Sequence, residues 1–212
     1  MSLELENLSI LKQGSAIFDP VNLVIRPGEI TTIMGPSGCG KSTLLSAVSG
    51  SLDRAFTLKG SILLNGRNMG DCPMEKRNIG ILFQDDLLFP HMNIGGNLAF
   101  AIQEKISRVQ KSQIIDKALK TAGLEGFEKR DPSSLSGGQK SRISLLRSLL
   151  AKPSALLLDE PFSTLDQTLK AKIRNFVFSQ IKRMNIPALL VTHDPKDCPE
   201  GGMILNLNKE EG

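Results

Sequence analysis

The sequence predicts an α/β fold, with a mainly parallel central sheet and a helical region inserted into it. Three observations predict this fold. A glycine-rich loop at residues 35–42 stands between a β-branched apolar run and a helical stretch. Near-continuous aliphatic runs at 155–158 and 188–191 suit parallel strands that are covered on both faces. Between the loop and these runs, apolar residues recur at helical spacing over about 85–150.

The N-terminal elements are predicted to be strands. Residues 3–8 alternate between apolar and polar, as a half-buried strand does, and residues 21–25 repeat the pattern. The run 30–34 is β-branched and largely apolar, which suits an interior strand that leads into the glycine-rich loop. We expect a helix at 42–48 after the loop, and another strand at 60–65.

Helical periodicity dominates the middle of the chain. Apolar residues recur at helical spacing over 114–122, with Gly123 as a candidate helix C-cap, and again over 143–150. We interpret about 85–150 as a helical subdomain inserted into one domain that spans 1–212.

The composition is that of an ordinary globular protein, with 40% hydrophobic and 23% charged residues. The formal net charge is +4, but the basic residues are scattered, so we expect a solvated surface and no nucleic-acid partner. No run approaches the roughly 20 apolar residues that cross a bilayer, and no signal-peptide pattern is present. The three cysteines lack metal-ligand spacing, which suits a reducing compartment. We therefore expect a cytoplasmic protein.

The glycine-rich loop fits the P-loop pattern of nucleotide-binding proteins. Glycines let backbone N–H groups approach phosphate oxygens closely, and a helix that begins at the loop directs its positive end at the same anion. Lys41 is expected to contact the β- and γ-phosphates, and Ser42 to offer its hydroxyl to Mg²⁺. The predicted nucleoside triphosphate site consists of Gly35, Pro36, Ser37, Gly38, Cys39, Gly40, Lys41, Ser42 and Thr43.

Cys39, inside this loop, allows two interpretations. Lys41 and the amides at the helix end favour its thiolate, which would make it sensitive to alkylation unless nucleotide protects it. Alternatively, Cys39 is an inert small residue.

A hydrophobic run ends in two acids, Asp159 and Glu160. A carboxylate at such a strand end helps to hold Mg²⁺, and we assign this role to Asp159. Glu160 is the candidate that polarises the attacking water, a general-base role typically worth about 10²–10⁴ in rate. The alternative is that the two acids merely cap the strand before Pro161.

Between these motifs stands Leu135-Ser136-Gly137-Gly138-Gln139, and the chain resembles the ATP-binding subunits of ABC transporters over nearly its whole length. The resemblance implies a P-loop core with a mainly parallel central sheet, an N-terminal antiparallel β subdomain and an inserted α-helical subdomain. It also implies ATP hydrolysis with Mg²⁺ in a head-to-tail homodimer. In such a dimer Ser136, Gly137, Gly138 and Gln139 of one copy grip the γ-phosphate bound by the other.

Three more residues resemble functional positions of the family. Gln84 resembles the loop glutamine that contacts Mg²⁺ and water, and Asp166 resembles the acid of the loop between the two ATP sites. His193 resembles the histidine that contacts the γ-phosphate. The resemblance assigns Gln84 and His193 to catalysis together with Glu160, whereas His91 is interpreted as an ordinary loop residue.

The segment 87–92 resembles the ATPases of bacterial importers for small solutes and ions, and among them the compact YnjD-like type. This implies an ATPase that energises an importer, with permease subunits contacting residues 84–100 and a solute-binding protein acting indirectly. The chain would then lie on the inner face of the cell membrane through the permease.

The alternative function is that of an ABC ATPase in a signalling or remodelling complex. ATPases that remodel nucleic acid or ribosomes commonly carry two cassettes or long coiled coils. The chain has one P-loop, one signature and no long heptad tract. A signalling complex would use the same surfaces as a transporter, so the sequence leaves that alternative open.

The chain departs from the family pattern in two places. Where the family stacks adenine on an aromatic residue, residues 11–13 contain none; Tyr and Trp are absent, and Phe18 is the only aromatic nearby. We therefore expect weak base recognition, with affinity resting mainly on the phosphates. The region after His193 is short: residues 195–202 are predicted to be a loop where relatives often carry a fuller helix, and 203–207 are predicted to be the last strand.

Overall fold

The structure of the chain, a computed structural model, describes residues 1–82, 87–163, 165 and 167–208, except for the side chains at 168 and 169. The chain divides into two compact units, and each is described by itself. The first comprises Met1–Ile81, Pro153–Glu160 and Phe178–Gly212, and the second Leu82–Lys152 and Pro161–Val177.

The described residues form the following elements, given in chain order. They are β1 Leu3–Lys12, β2 Ser15–Ala16, β3 Val21–Ile25, β4 Ile30–Met34, α1 Lys41–Ser49, β5 Phe56–Leu64, β6 Arg67–Asn68, β7 Ile79–Leu82, α2 Ile94–Ala101, α3 Arg108–Thr121, α4 Gly137–Leu150, β8 Ala155–Asp159, α5 Gln167–Met184, β9 Ala188–Val191 and β10 Met203–Asn206. Short 3-10 helices lie at Met74–Lys76, Pro132–Ser134 and Pro195–Asp197.

An antiparallel sheet in the first unit is built around β1. This strand pairs with β2, β3 and β5, and β5 pairs with β6, all in antiparallel register. The pairing of β1 with β5 shifts between Glu6 and Ser9, and β5 continues beyond this irregularity to Phe56. As a result, Phe56 stands directly opposite Lys12 at the far end of the pair.

A second sheet in the same unit has the strand order β10-β4-β9-β8-β7. Strand β4 pairs in parallel with β10 and β9, and β9 pairs in parallel with β8. The aliphatic residues of β8 and β9 are all buried, as parallel strands covered on both faces require. Because Ile33 and Asp159 both pair with Val191, the segments that follow β4, β8 and β9 leave the sheet at one edge.

The two sheets and α1 contribute to one apolar core. Its fully buried members include Ile25, Ile33, Leu44, Leu157 and Leu189. Burial of an aliphatic side chain of this size stabilises a fold by about 1.5–3 kcal/mol. The core therefore fixes α1 against the sheet edge at which the three segments emerge.

A buried cation closes the C-terminal end of α1. Arg77 is 6% exposed, and its guanidinium donates to the backbone oxygens of Ala47, Val48 and Cys72 at 2.8–2.9 Å. The last carbonyls of a helix lack intrahelical donors, and the negative end of the helix dipole lies there. The guanidinium both donates hydrogen bonds to these carbonyls and brings a positive charge to the negative end. Burial lowers the pKa of Arg77, but a guanidinium remains protonated in proteins.

The second unit is helical. Helix α2 packs against α3 and α4 around an apolar cluster whose members include Ile94, Leu98, Leu119 and Ile143. The buried side chain of Asn97 holds the loop before α2, because its amide bonds to the backbone at Phe89, Met92 and Asn93. No helix in the described part of the chain is long and apolar enough to cross a membrane.

The predicted fold class is confirmed, and the strands at 21–25 and 30–34 have the predicted bounds. Strand β7 and helices α2 and α5 are not among the predicted elements. Helix α5 carries a usable signal, since Ile173, Val177 and Ile181 are buried at a spacing of four residues.

Two predicted strands are longer than expected. The strand predicted at 3–8 extends over β1, and the strand predicted to begin at Gly60 begins at Phe56. Gly60 interrupts the apolar pattern because it lies at the irregular pairing with φ +86°, where an added Cβ would stand 2.3 Å from the Asn7 carbonyl oxygen. The glycine marks a bulge within the strand and not its beginning.

We expect the substitution Arg77→Met to lower the free energy of unfolding by about 2–4 kcal/mol, because it removes the charged donor to three carbonyls. Urea denaturation measures the change. Arg26→Met is the control, since Arg26 is exposed and forms a surface ion pair with Glu29, and it should change the value by less than about 1 kcal/mol. Equal effects of the two substitutions would contradict the structural role of Arg77.

Candidate functional site

The loop 35–40 joins β4 to α1 at the sheet edge. At Gly40, φ is +98° and an added Cβ would lie 2.8 Å from atoms of Ile17 and Phe18, so a larger residue does not fit. Gly40 is the N-cap of α1 and supplies no side-chain hydrogen bond to the helix. The first N–H groups of α1 therefore remain free of a side-chain cap and, with the helix dipole, favour an anion at this end.

The Lys41 ammonium lies over the loop that it follows. Its Nζ donates to the backbone oxygens of Gly35 and Pro36, at 2.8 Å in both cases. These contacts fold the long side chain back across the loop instead of leaving it extended into solvent. The positive charge and the helix N-terminus are thus brought to the same place, as binding of a polyphosphate requires.

A cavity of about 320 Å³ opens beside the loop. Its volume is within the range typical of small-molecule sites, about 300–1,000 Å³. The lining combines residues of the loop and α1 with three from the antiparallel sheet region: Lys12, Ile17, Gly38, Gly40, Lys41, Ser42, Thr43 and Phe56.

Asp159, at the end of β8, is joined to the start of α1. The Ser42 hydroxyl donates to its carboxylate. Burial raises the pKa of Asp159, and the charge of Glu160 raises it further, whereas the Ser42 hydrogen bond and the Lys41 charge lower it. A hydroxyl and one carboxylate beside a phosphate site suit Mg²⁺, which binds proteins through one or two carboxylates together with phosphate oxygens and water.

Glu160 and His193 form a second pair at the same edge. His193 Nδ1 lies 2.8 Å from Glu160 Oε1, with the histidine exposed and the glutamate largely covered. Glu160 has a left-handed backbone, with φ +48°, and its N–H donates to the Val191 oxygen at 3.0 Å. Such a conformation is uncommon for a residue with a side chain, and it re-aims the carboxylate at the point where β8 ends.

The loop after β9 that carries His193 is held in place by hydrogen bonds of the buried Thr192 side chain. Thr192 is fully buried, and its hydroxyl donates to the Asp197 carboxylate at 3.1 Å. The same hydroxyl accepts from the Asp194 N–H at 3.1 Å. His193 is therefore held on both sides by residues that anchor its backbone.

Cys39 is only 2% exposed. Its Sγ lies 3.9 Å from Lys41 Nζ, and an added Cβ at Gly35 would stand 2.8 Å from the same sulfur. A reagent in solution has little access to a thiol packed in this way. The geometry therefore favours the interpretation of Cys39 as an inert small residue.

The predicted second phosphate site lies in the helical unit, at the N-terminus of α4. Ser136 is its N-cap, and the Ser136 N–H donates to Gln139 Oε1 at 3.0 Å, which makes Gln139 part of a capping box. Ser136 and Gly137 are exposed. The helix end is thus well formed and open to solvent.

The structure brings Lys41, Ser42, Asp159, Glu160 and His193 to one edge of the parallel sheet, while the signature residues belong to the other unit. Gln84 and Asp166, both predicted site residues, lie outside the described residues. Phe56 and Lys12 line the cavity, but neither is among the predicted site residues. Ahead of Gly60, the apolar residues Phe56 and Leu58 alternate with polar residues. This period-two pattern is typical of a strand and was the available signal that the strand begins before Gly60.

The arrangement of the glycine-rich loop and the acidic residues agrees with the family that the chain resembles. A family profile described as ABC transporter matches residues 18–163. The chain is 44% identical over 202 residues to the uncharacterized ABC transporter ATP-binding protein YnjD of Escherichia coli (strain K12), with 95% of this chain and 93% of that protein covered.

Two longer relatives carry transport names. The Fe(3+) ions import ATP-binding protein FbpC of Mannheimia succiniciproducens is 38% identical, with 92% of this chain and 55% of that protein covered. The putrescine transport ATP-binding protein PotG of Escherichia coli (strain K12) is 37% identical, with 98% and 55% covered. The chain therefore spans little more than half the length of these two relatives.

Solved structures are similar as well, among them one that matches over nearly the whole chain. It is the dimeric, post-hydrolysis state of an ATP-binding cassette bound to ADP and Pi, with a TM-score of 0.81 and 29% sequence identity. The alignment covers 99% of each chain.

We expect Asp159→Asn to raise the free energy of unfolding of the nucleotide-free protein at neutral pH. The folded state disfavours the charged carboxylate, so this group contributes stability at low pH that is lost as the pH rises through its raised pKa. The advantage of the variant should shrink as the pH falls through the raised pKa of Asp159, and it should be lost once the pH is below 3.8, the ordinary value for Asp. Urea denaturation over that pH range measures it, and the exposed Asp19→Asn controls for loss of one charge. A variant less stable than the wild type at neutral pH would contradict this account.

Proposed function

Because the chain belongs to the ABC transporter family of ATP-binding proteins, we propose that it hydrolyses ATP to energise a bacterial importer of a small solute or ion. The predicted resemblance to this family, and to YnjD within it, is confirmed. One observation supports the chemistry most strongly. A P-loop lysine, a hydroxyl–carboxylate pair and a glutamate–histidine pair converge on one sheet edge.

The phosphates would bind at the loop and the first turn of α1. Lys41 would exchange its loop carbonyls for β- and γ-phosphate oxygens, while free N–H groups of α1 bind the same anion. Ser42 and Asp159 would hold Mg²⁺, which neutralises charge on the transferred phosphoryl group when bound. Gln84 is proposed as a further ligand of the metal and its water.

Glu160 is the proposed general base. Its carboxylate would take a proton from water as the water oxygen attacks the γ-phosphorus, and the bond from that phosphorus to the ADP oxygen breaks. ADP and inorganic phosphate result. His193, at 2.8 Å from Glu160 Oε1, would orient the carboxylate and contact the γ-phosphate.

The site would be completed by a second copy of the chain. The dimeric relative bound to ADP and Pi supports this arrangement. Ser136, Gly137 and Gly138 of one copy would face the γ-phosphate held by the other, with Gln139 keeping that helix end in shape. Asp166 would line the boundary between the two sites. ATP binding would then close the dimer, and hydrolysis would loosen it.

A permease surface is proposed within residues 84–100. Leu87 and Phe100 are 58% and 64% exposed, and Phe100 packs edge-on against Phe89, with ring centroids 4.9 Å apart. Large apolar side chains exposed on one short segment favour a docking surface. The permease would hold the chain at the cytoplasmic face of the membrane, and a solute-binding protein would act on the permease from the other side.

A signalling complex with a membrane partner is the competing function. Relatives with import and transport names support transport instead. Copurification with a multi-spanning membrane protein, followed by a flux assay on the reconstituted complex, discriminates the two. A complex that hydrolyses ATP without moving any solute would favour signalling.

We expect Glu160→Gln to preserve ATP·Mg²⁺ binding while lowering turnover by about 10²–10⁴, because the amide is a poor proton acceptor but keeps the shape of the side chain. Phosphate release measures turnover, and light scattering should detect an ATP-dependent dimer trapped by the substitution. Glu125→Gln, at an exposed residue paired with Lys120, is the control. Unchanged turnover in Glu160→Gln would remove Glu160 from its assigned role.

A further inference from the structure

The cavity beside the P-loop extends beyond what phosphate binding explains. Lys12, Ile17 and Phe56 line it together with the loop and the first turn of α1. An added Cβ at Gly40 would lie 2.8 Å from Ile17 Cγ2, so Ile17 packs directly against the phosphate loop. A ligand held by the loop therefore has a partly apolar wall beside it.

Phe56 supplies the aromatic part of this wall. The antiparallel register places it opposite Lys12, whose Nζ lies 5.8 Å from the ring centre, within reach of a cation–π contact. Phe56 is half-buried and packs against the apolar core of the first unit. The ring thus has a fixed side toward the core and a remaining side at the cavity.

Phe18, the aromatic residue nearest the early loop in sequence, is excluded from such a role. It is 0% exposed and belongs to the core. Residues 11–13, where the family pattern calls for an aromatic, contribute only Lys12 to the cavity. Within the described cavity lining, Phe56 is the residue with an aromatic face.

We propose that Phe56 stacks on the base of the bound nucleoside triphosphate, and that the Lys12 ammonium, which lies over the ring in the nucleotide-free chain, moves to the edge of the base. This inference rests on the proposed function, because it assumes that the P-loop holds a nucleotide. The base platform would then come from β5, across the strand pair from residues 11–13 of β1 and the turn that follows it. It supplies a base contact that phosphate binding alone does not.

Stacking has a defined consequence for specificity. An aromatic face accepts any base, since stacking does not read the hydrogen-bonding edge. Larger bases bury more of the ring, so ATP and GTP should bind within about tenfold of each other, and both more tightly than CTP.

The test compares ATP·Mg²⁺ with inorganic tripolyphosphate·Mg²⁺ by titration calorimetry on the full chain. Phe56→Ala should weaken ATP binding by about 5-fold to 100-fold and leave tripolyphosphate binding within about 2-fold. Leu58→Ala is the matched control: Leu58 lies two residues further along β5, packs on the same core and does not line the cavity. It should change neither affinity.

A second variant reports the contact directly. The chain contains no Trp or Tyr, so Phe56→Trp introduces a single fluorophore at the proposed platform. Saturating ATP should quench its fluorescence, and saturating tripolyphosphate should not. Equal losses of ATP and tripolyphosphate affinity in Phe56→Ala, or no ATP-specific quenching, would overturn the proposal. If the wild type bound neither ligand, the proposed nucleotide function itself would fail.

Discussion

The site depends on the parallel register of β4, β8 and β9. Since Ile33 and Asp159 both stand beside Val191, the phosphate loop, the acidic pair and the histidine loop leave the sheet at one edge. The strands themselves are apolar and buried, so their register is fixed by the core and not by the site. The polar residues of the site are therefore held by buried strands whose arrangement does not depend on a bound ligand.

This placement is unfavourable for several groups that serve the site. Burial raises the pKa of Asp159. Glu160 has a left-handed backbone conformation, which is unfavourable for a residue with a side chain. The N-terminus of α1 lacks a side-chain cap. The opposite end of the same helix is tied down by Arg77. The contacts of Arg77 and the packing of the core offset the loss of folding stability at the site. Such a loss is expected where binding needs unpaired N–H donors and charges that lie close together.

Much of the fold and the phosphate site could be predicted from the sequence, because glycine, lysine and acidic residues at fixed spacing leave few alternatives. The aliphatic composition of 155–158 and 188–191 predicted buried parallel strands at both places. What escaped prediction depends on pairing across the sheet. Gly60 looks like the start of a strand, yet it sits at a bulge, and the register beyond it is what carries Phe56 to Lys12. The pairing register of β1 and β5 cannot be predicted from any short stretch of the sequence. Helix α5 was missed although its apolar spacing was present.

In the proposed dimer, one copy binds each ATP and the Ser136 end of the other copy completes the site. Mixing Lys41→Ala protein with Ser136→Arg protein tests this directly, because a mixed dimer contains one intact site whereas each parent dimer contains none. Phosphate release from the equimolar mixture should reach roughly a quarter of the wild-type rate, since half of the dimers are mixed and each has one working site. A rate no higher than the sum of the two parents would contradict the shared site.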